Sequence, residues 1–232
     1  MSRPIAIFRT NSAALTVGEA PRVVGTLSSL VIPNELPGDI VELRLDRVSE
    51  RTGWLEQCAA IQARGKPVLL TPRLRSEGGL WDSDDQRRLE IYQSALRQLA
   101  AVDVELSSAF CPAVAEEARK LQKACVVSYH HFQKTPPLGE LRALVQRAQQ
   151  IGSIVKISTT IQRESDVAAL RGLLEADWTR PLCVIGMGPA WSHTRVLFAQ
   201  LGSCLTYGYL DAPAAPGQLP AAELVRQLSR CP

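Results

Sequence analysis

Short apolar runs alternate along this chain with longer segments in which apolar residues recur at a helical period. Eight runs rich in Val, Ile and Leu have the length of β-strands, and several are apolar at successive positions, which is typical of parallel strands buried on both faces. The predicted strands cover residues 23–27, 40–45, 67–71, 102–106, 125–129, 154–158, 182–187 and 205–210. The amphipathic segments predict helices over residues 54–64, 83–99, 112–122, 138–149, 164–175 and 221–228.

This alternation of strands and helices predicts an α/β fold, a (β/α)8 TIM barrel, in a single domain over residues 1–232. Residues 1–18 are predicted to form an N-terminal β-hairpin that closes the bottom of the barrel, and the barrel itself is expected over residues 22–232. The alternative is an open doubly wound sheet. It is disfavoured because no GxGxxG phosphate-binding motif follows the first long strand.

The composition is that of a globular protein with weak net charge. The 232 residues include 26 basic and 23 acidic side chains, and no block of like charges occurs. A nucleic-acid partner, a membrane partner and an export segment are therefore not expected, whereas a small-molecule substrate that carries negative charge remains open. The cysteines are widely spaced, as expected of unpaired thiols in a cytoplasmic protein: Cys58, Cys111, Cys125, Cys183, Cys204 and Cys231.

Charged residues interrupt several of the predicted core strands. Glu42, Arg44 and Asp46 follow one another at every second position, which places all three on one face of a strand. Asp103 and Glu105 have the same spacing in a later strand. Because buried charges must be paired or must face a wet cavity, these positions indicate a polar site inside the barrel.

Lys156 is the most informative of these charged residues. The chain has five lysines, and only Lys156 lies in the middle of a predicted strand. Burial of an ammonium group is costly, so a lysine at this position is expected to have a structural or a catalytic role. One interpretation is an ion pair with Asp103 or Glu105. The other is a nucleophilic amine that forms a Schiff base with a ketone or an aldehyde.

A histidine is expected beside this lysine. His130 ends the strand that precedes the strand of Lys156, and successive barrel strands are neighbours. An imidazole can move protons at a carbon next to an iminium, and Glu77, in a loop that contains two glycines, can orient the ring. A structural histidine is the alternative. No cysteine or carboxylate stands at metal-ligand spacing from the histidines, so no metal site is predicted.

Two further arginines follow predicted strands. Arg73 is expected at the rim of the barrel, after the third strand. Arg195 follows the seventh strand, in a region where barrels often bind anions, and its guanidinium can clamp a carboxylate or a phosphate. A solvated arginine at the start of a helix is the alternative for Arg195.

Together these residues resemble the type I 3-dehydroquinate dehydratase family of the shikimate pathway. The resemblance covers nearly the whole chain. Its motifs are Val23-Val-Gly-Thr-Leu27, Glu42-Leu-Arg-Leu-Asp46, Arg73 with Glu77-Gly-Gly, Val102-Asp-Val-Glu-Leu106, Ser128-Tyr-His-His-Phe-Gln-Lys-Thr-Pro136, Val155-Lys156, Met187, Thr194-Arg195 and Ala215-Pro-Gly-Gln218. It implies a cytoplasmic (β/α)8 lyase, commonly a homodimer, that uses a lysine Schiff base and neither a metal nor an organic cofactor.

The resemblance also implies roles for the individual residues. Lys156 would form an imine with 3-dehydroquinate, His130 would serve as general base and acid, and Glu77 would orient His130. The residues implied to bind the substrate are Thr26, Glu42, Arg44, Arg73, Arg195 and Gln218, of which Arg195 and Gln218 would hold its carboxylate.

The sequence departs from the family pattern at several positions near the expected site. Ala214 replaces a serine that usually binds the substrate, and Pro189 replaces a lysine in the loop over the site. Ile185, Tyr129 and His131 replace a methionine, an asparagine and an acidic residue. None of these changes removes a catalytic group, so they bear on substrate affinity and on loop closure more than on the reaction.

Two other functions are alternatives. A small class I aldolase would share the Schiff-base lysine but would cleave a carbon–carbon bond. A degenerate barrel that binds a metabolite or a protein partner without catalysis is motivated by the departures at Ala214 and Pro189. The presence together of Lys156, His130 and Glu77 argues against the second alternative.

Overall fold

The computed structural model describes residues 4–10, 12–81 and 84–230. Its strands are β1 (Ala6–Arg9), β2 (Ala14–Val17), β3 (Arg22–Leu27), β4 (Ile40–Arg44), β5 (Val68–Thr71), β6 (Ala101–Glu105), β7 (Ala124–His131), β8 (Ile154–Thr160), β9 (Leu182–Met187) and β10 (Leu205–Tyr209). Its α-helices are α1 (Trp54–Ala63), α2 (Asp85–Gln98), α3 (Cys111–Lys120), α4 (Leu138–Ala148), α5 (Glu164–Leu174), α6 (Thr194–Gln200) and α7 (Ala221–Leu228).

Eight strands form the predicted TIM barrel. They pair in parallel in the order β10-β3-β4-β5-β6-β7-β8-β9. Strands β3 to β9 are thus neighbours in chain order, and the last strand, β10, pairs with the first, β3. Near the remaining gap the backbone N–H of Cys204 donates to the carbonyl of Leu182 over 2.9 Å, so the sheet is nearly closed. The prediction of a barrel is confirmed, and the alternative of an open doubly wound sheet is wrong.

The two remaining strands form a separate antiparallel hairpin at the N-terminal end of the barrel. Strands β1 and β2 pair with Phe8 opposite Leu15. The side chains of Phe8 and Val17 are fully buried in the same apolar cluster as the inward-facing Leu69 and Ile154. The hairpin therefore closes the bottom of the barrel, as predicted. Residues 1–3 and 11 of the predicted segment lie outside the described residues.

The side chains inside the barrel change from apolar to charged along the barrel axis. On β4, three inward positions in succession are Ile40, Glu42 and Arg44, so the strand is apolar at the bottom and charged at the top. On β8 the inward positions Ile154 and Lys156 change in the same way. The apolar half supplies the core, and the charged half faces the ends of the strands where barrel enzymes carry their sites.

The observed elements differ from the predicted ones mainly at their ends. Strand β7 continues through His131, because its last residues pair with Ser158 and Thr159 of β8. Helix α2 begins at Asp85. The side chain of Asp84 caps it by accepting a hydrogen bond from the N–H of Arg87 over 2.7 Å. The predicted start of this helix, residue 83, lies outside the described residues.

Helix α6 was not predicted, since its seven residues are too few for a clear helical period. The strands and the other helices lie within a few residues of their predicted ranges. Five cysteines are free and buried, and the sixth, Cys231, lies outside the described residues. None of the helices described is both long and apolar enough to cross a bilayer.

We expect Phe8→Ala to lower the free energy of unfolding by about 3–5 kcal/mol, because it removes a fully buried aromatic ring from the closed end of the barrel. Urea denaturation followed by circular dichroism measures the change. Arg9→Ala, in the same strand but exposed, is the matched control and should have little effect. A loss below about 1 kcal/mol for Phe8→Ala would show that the hairpin does not contribute to the barrel core.

Candidate active site

A cavity opens to solvent at the carboxyl ends of the barrel strands. This is the end at which barrel enzymes carry their active sites. All nine residues that were predicted to have a catalytic or substrate-binding role line this one cavity: Thr26, Glu42, Arg44, Arg73, Glu77, His130, Lys156, Arg195 and Gln218. The fold thus brings together residues from four strands, from the segments that follow β5 and β10, and from helix α6. Their roles in binding and catalysis stay predictions.

Lys156 lies inside the barrel with only 6% of its surface exposed. Its Nζ donates to Oδ2 of Asp103 over 3.1 Å, which is the ion pair considered from the sequence. On another side, Nζ lies over the aromatic ring of Tyr207, 4.0 Å from the ring centroid. The amine therefore has a carboxylate and an aromatic face as its neighbours while it still reaches the cavity.

Asp103 connects this lysine to the other charges inside the barrel. Its Oδ1 accepts hydrogen bonds from Arg73 over 2.7 Å and from the hydroxyl of Ser128 over 2.6 Å. Burial by itself raises the pKa of Asp103, but the positive charges of Arg73 and Lys156 lower it well below its usual value. Asp103 consequently stays ionised and neutralises cations on both sides.

His130 and Glu77 form a hydrogen-bonded pair above Lys156. Ser128 is the register partner of Lys156, and His130 lies two residues further along β7 on the same face of the strand. Oε2 of Glu77 lies 3.0 Å from Nδ1 of His130 and also accepts from its backbone N–H over 2.9 Å. The hydroxyl of Ser107 donates to the other oxygen of Glu77 over 2.6 Å. Because a carboxylate only accepts, Nδ1 carries the proton and Nε2 is left free to accept one.

The electrostatic surroundings keep the His130 ring neutral. Burial lowers its pKa, and the positive charges of Arg73 and Lys156 lower it further, so that it lies well below the ordinary value of imidazole despite the nearby Asp103. The pKa of Glu77 is raised, chiefly by burial and against the charge of Arg73. A neutral imidazole with a free Nε2 is the form that a general base requires.

Arg73 is buried inside the barrel rather than at the predicted position on its rim. Only 3% of its surface is exposed, and its guanidinium pairs with Asp103 and also with Glu105, at 3.1 Å. Glu105 in turn accepts from Arg88 of α2 over 2.9 Å and from the N–H of Leu74 over 2.9 Å. This buried network fixes the start of the loop that carries Glu77.

The wall of the cavity opposite His130 and Lys156 is formed by β3 and β4. Its charged side chains are held in place by two hydroxyl groups and by one ion pair. Glu42 accepts hydrogen bonds from Thr26 over 3.0 Å and from Thr71 over 2.8 Å. Arg44 forms a bidentate pair with Asp46, whose carboxylate follows the strand in a short 3-10 turn rather than lying within it. Arg44 and Glu42 line the cavity, whereas Asp46 does not.

Arg195 is buried, with 2% of its surface exposed, so the alternative of a solvated arginine is wrong. Its guanidinium donates to the carbonyls of Gly217 over 3.0 Å and Tyr207 over 3.2 Å, and no carboxylate among the described residues pairs with it. Burial lowers the pKa of Arg195 to about 10. A cation that lies in a cavity and is paired only with backbone carbonyls is suited to bind an anionic group.

Gln218 holds the neighbouring loop. Its Oε1 accepts from the N–H of Ala214 over 2.7 Å, and its Nε2 donates to the hydroxyl of Thr26 over 3.3 Å. Among the described residues, no group of three or more His, Cys, Asp or Glu side chains is placed to hold a metal ion.

Three residues that contact the predicted site residues were not predicted from the sequence: Ser107, Ser128 and Tyr207. Ser128 and Tyr207 occupy inward positions, and the alternation of their strands could have identified them. No comparable signal marks Ser107, since it lies in a loop after β6 and meets Glu77 only in three dimensions.

Comparisons with known proteins agree on one family. The family model for type I 3-dehydroquinase matches residues 20–230. A protein from Methanothrix thermoacetophila named 3-dehydroquinate dehydratase is 34% identical over 195 residues, which are 83% of this chain and 81% of that protein. A protein of the same name from Methanosarcina mazei is 35% identical over 203 residues, covering 82% of this chain and 84% of the relative.

Solved structures support the fold. The crystal structure of 3-dehydroquinate dehydratase from Geobacillus kaustophilus superimposes with a TM-score of 0.82 at 22% identity, and the coverage is 93% of both chains. The structure of the enzyme of that name from Enterococcus faecalis gives a TM-score of 0.77 at 25% identity, with 92% of this chain and 95% of that chain covered.

We expect His130 to remain neutral at pH values where an ordinary histidine, with a pKa of about 6.5, is already protonated. The unfolded chain then binds a proton that the folded chain does not, so the contribution of His130 to stability falls as the pH is lowered through about 6.5 and towards the folded pKa. Nitrogen-15 NMR of the labelled imidazole measures the titration. Spectra of the variants His130→Asn and His131→Gln assign the signal. A His130 titration at or above pH 6.5 would contradict the expectation.

Proposed function

Since the chain belongs to the type I 3-dehydroquinase family, we propose that it is a 3-dehydroquinate dehydratase, a lyase that converts 3-dehydroquinate to 3-dehydroshikimate and water in the shikimate pathway. One observation carries the proposal. The buried amine of Lys156 shares a cavity with His130, whose ring is oriented by Glu77 at 3.0 Å. An amine and a neutral imidazole in this arrangement suit the removal of a proton next to a carbonyl group.

Lys156 begins the reaction. Its amine, once uncharged, attacks the ring ketone of the substrate, and loss of the carbonyl oxygen as water gives a protonated imine. Asp103, 3.1 Å from Nζ, takes part by fixing the position of the amine and by balancing positive charge on its nitrogen. The imine makes the protons on the adjacent carbon more acidic, because the iminium accepts the electron pair that is left behind.

His130 then transfers the proton. Its free Nε2 removes a proton from the adjacent carbon, and the imine becomes an enamine. The resulting imidazolium is stabilised by the carboxylate of Glu77. His130 next returns the proton to the departing hydroxyl group, which leaves as water as the enamine electrons restore the iminium. Hydrolysis of the imine consumes one water and releases 3-dehydroshikimate and free Lys156.

Charged and polar side chains hold the substrate. Arg195 binds the substrate carboxylate, a role that its burial without a carboxylate partner supports, and Gln218 lies beside it in the same cavity. The ring hydroxyls are bound from the opposite wall by Thr26, Glu42 and Arg44, and from below by Arg73. From the family resemblance alone, we also propose that the protein is a cytoplasmic homodimer that needs neither a metal nor an organic cofactor.

We expect incubation with 3-dehydroquinate and sodium borohydride to leave a covalent adduct on Lys156, because borohydride reduces an imine to a stable amine. Intact and peptide mass spectrometry locate the adduct and give its mass. Lys156→Met, which keeps the length of the stem, should form no adduct and should lose turnover by about a thousandfold or more.

Lys120→Met removes an exposed lysine from α3 and is the matched control for this experiment; it should retain both the adduct and the turnover. Circular dichroism and urea denaturation establish that each variant is folded. A folded wild-type protein that forms no adduct with 3-dehydroquinate would overturn the proposed function.

We expect Ala214→Ser to lower KM for 3-dehydroquinate by about twofold to tenfold with little change in kcat, since one added hydrogen bond to the substrate carboxylate is worth about 0.5–1.5 kcal/mol. Ala214 lines the cavity and is 6% exposed, so a hydroxyl there faces the expected position of the carboxylate. Steady-state kinetics measure the effect. Ala212→Ser, exposed in the same loop, is the control. An unchanged or higher KM for Ala214→Ser would place the carboxylate elsewhere.

A further inference from the structure

Tyr207 lies directly beside the proposed nucleophile. It is an inward-facing residue of β10, 5% exposed, and it lines the same cavity as Lys156. The Nζ atom of Lys156 lies over its ring, 4.0 Å from the centroid. This distance is well within the range of about 6 Å over which an aromatic face attracts a cation. The contact is therefore with the one nitrogen at which the proposed reaction forms a bond.

The aromatic face differs from the other neighbour of this nitrogen. Asp103 accepts a hydrogen bond from the ammonium group, so it favours a nitrogen that keeps its protons. A ring face attracts positive charge through its quadrupole and accepts no proton. When the amine becomes a protonated imine, the nitrogen has fewer hydrogens to donate but still carries positive charge, and the attraction to the ring of Tyr207 persists. Burial of both groups strengthens that attraction.

The hydroxyl of Tyr207 makes no comparable contact. Its Oη is buried and has no hydrogen-bond partner among the described residues. Burial raises the pKa of Tyr207 well above its ordinary value, so the side chain remains a neutral phenol. A buried hydroxyl without a partner costs stability rather than adding to it. The ring, and not the hydroxyl, is therefore the part of Tyr207 that the site uses.

We propose that Tyr207 is a further catalytic residue, whose aromatic face stabilises the positively charged nitrogen of Lys156 in the imine stage of the reaction. The proposal rests on the proposed function, because it assigns Tyr207 to the Schiff base that Lys156 forms. It predicts that the electron density of the ring, rather than its size or its hydroxyl, sets the rate.

A series of substitutions at position 207 separates these properties. Tyr207→Phe keeps the ring and should retain kcat/KM close to that of the wild type, with equal or greater stability. Replacement of Tyr207 by phenylalanines with one, two and three ring fluorines should lower kcat/KM step by step, because each fluorine withdraws electron density from the face. Tyr207→Leu removes the face and should lower kcat/KM about thirtyfold, as expected for a desolvated cation–π contact.

Two further measurements test whether a change in kcat/KM arises at Lys156 and in a folded protein. The fraction of enzyme trapped as the borohydride-reduced adduct on Lys156 should fall in the same order as kcat/KM, and urea denaturation checks that each variant is folded. Tyr209→Leu is the matched control, in the same strand but with no contact to a cation in the described part of the chain. It should retain kcat/KM and adduct formation.

The outcomes distinguish this inference from the function on which it rests. If the wild type forms the adduct but fluorination leaves kcat/KM unchanged, the role of the ring face is wrong and the dehydratase proposal stands. A loss for Tyr207→Phe as large as that for Tyr207→Leu would assign the effect to the hydroxyl and would also overturn the inference. Absence of the adduct in the wild type would overturn both.

Discussion

The carboxylate of Asp103 is the group on which the charged half of the barrel interior depends. It accepts from Lys156 on one oxygen and from Arg73 on the other, and all three side chains are buried. Without Asp103, two cations would face each other in a medium that solvates neither, at a cost of several kcal/mol. Arg73 also requires Glu105, which is shared with Arg88 from the outer helix α2. The ion pairs therefore extend from the barrel interior to helix α2.

The same charges that stabilise this network also determine the acid–base chemistry above it. Arg73 and Lys156 lower the pKa of His130 after burial has already lowered it, although Glu77 is hydrogen-bonded to the ring. A histidine that was paired with a carboxylate in a less positive site would be protonated at neutral pH and could not act as a base. Proton transfer by His130 in the proposed reaction thus depends on the charges of Arg73 and Lys156. These two cations act on the ring through the electric field rather than through a hydrogen bond to it.

Sequence periodicity predicted the barrel and its inward-facing positions because each strand alternates with a period of two and each helix has one apolar face. Lys156 was identifiable because it is a charge at an inward position of an otherwise apolar strand. Periodicity does not indicate which charges meet across the barrel, since those distances depend on strand register and on side-chain length. The burial of Arg73 and the bond from Ser107 to Glu77 were missed for that reason, and the choice between a solvated Arg195 and one in the site stayed open.

Hydrogen bonds in the loop after β10 limit what Gln218 can add to the proposed binding of the substrate. Gln218 already makes two hydrogen bonds, one to the N–H of Ala214 and one to Thr26, and Arg47 donates to the carbonyl of Ala214 over 3.0 Å. A substrate carboxylate that recruits the amide of Gln218 must replace the bond to Thr26, so the exchange adds little net free energy. Arg195, whose partners among the described residues are backbone carbonyls, has no carboxylate partner to give up on accepting an anion. In the proposed function, we therefore expect Arg195 to supply most of the attraction for the substrate carboxylate.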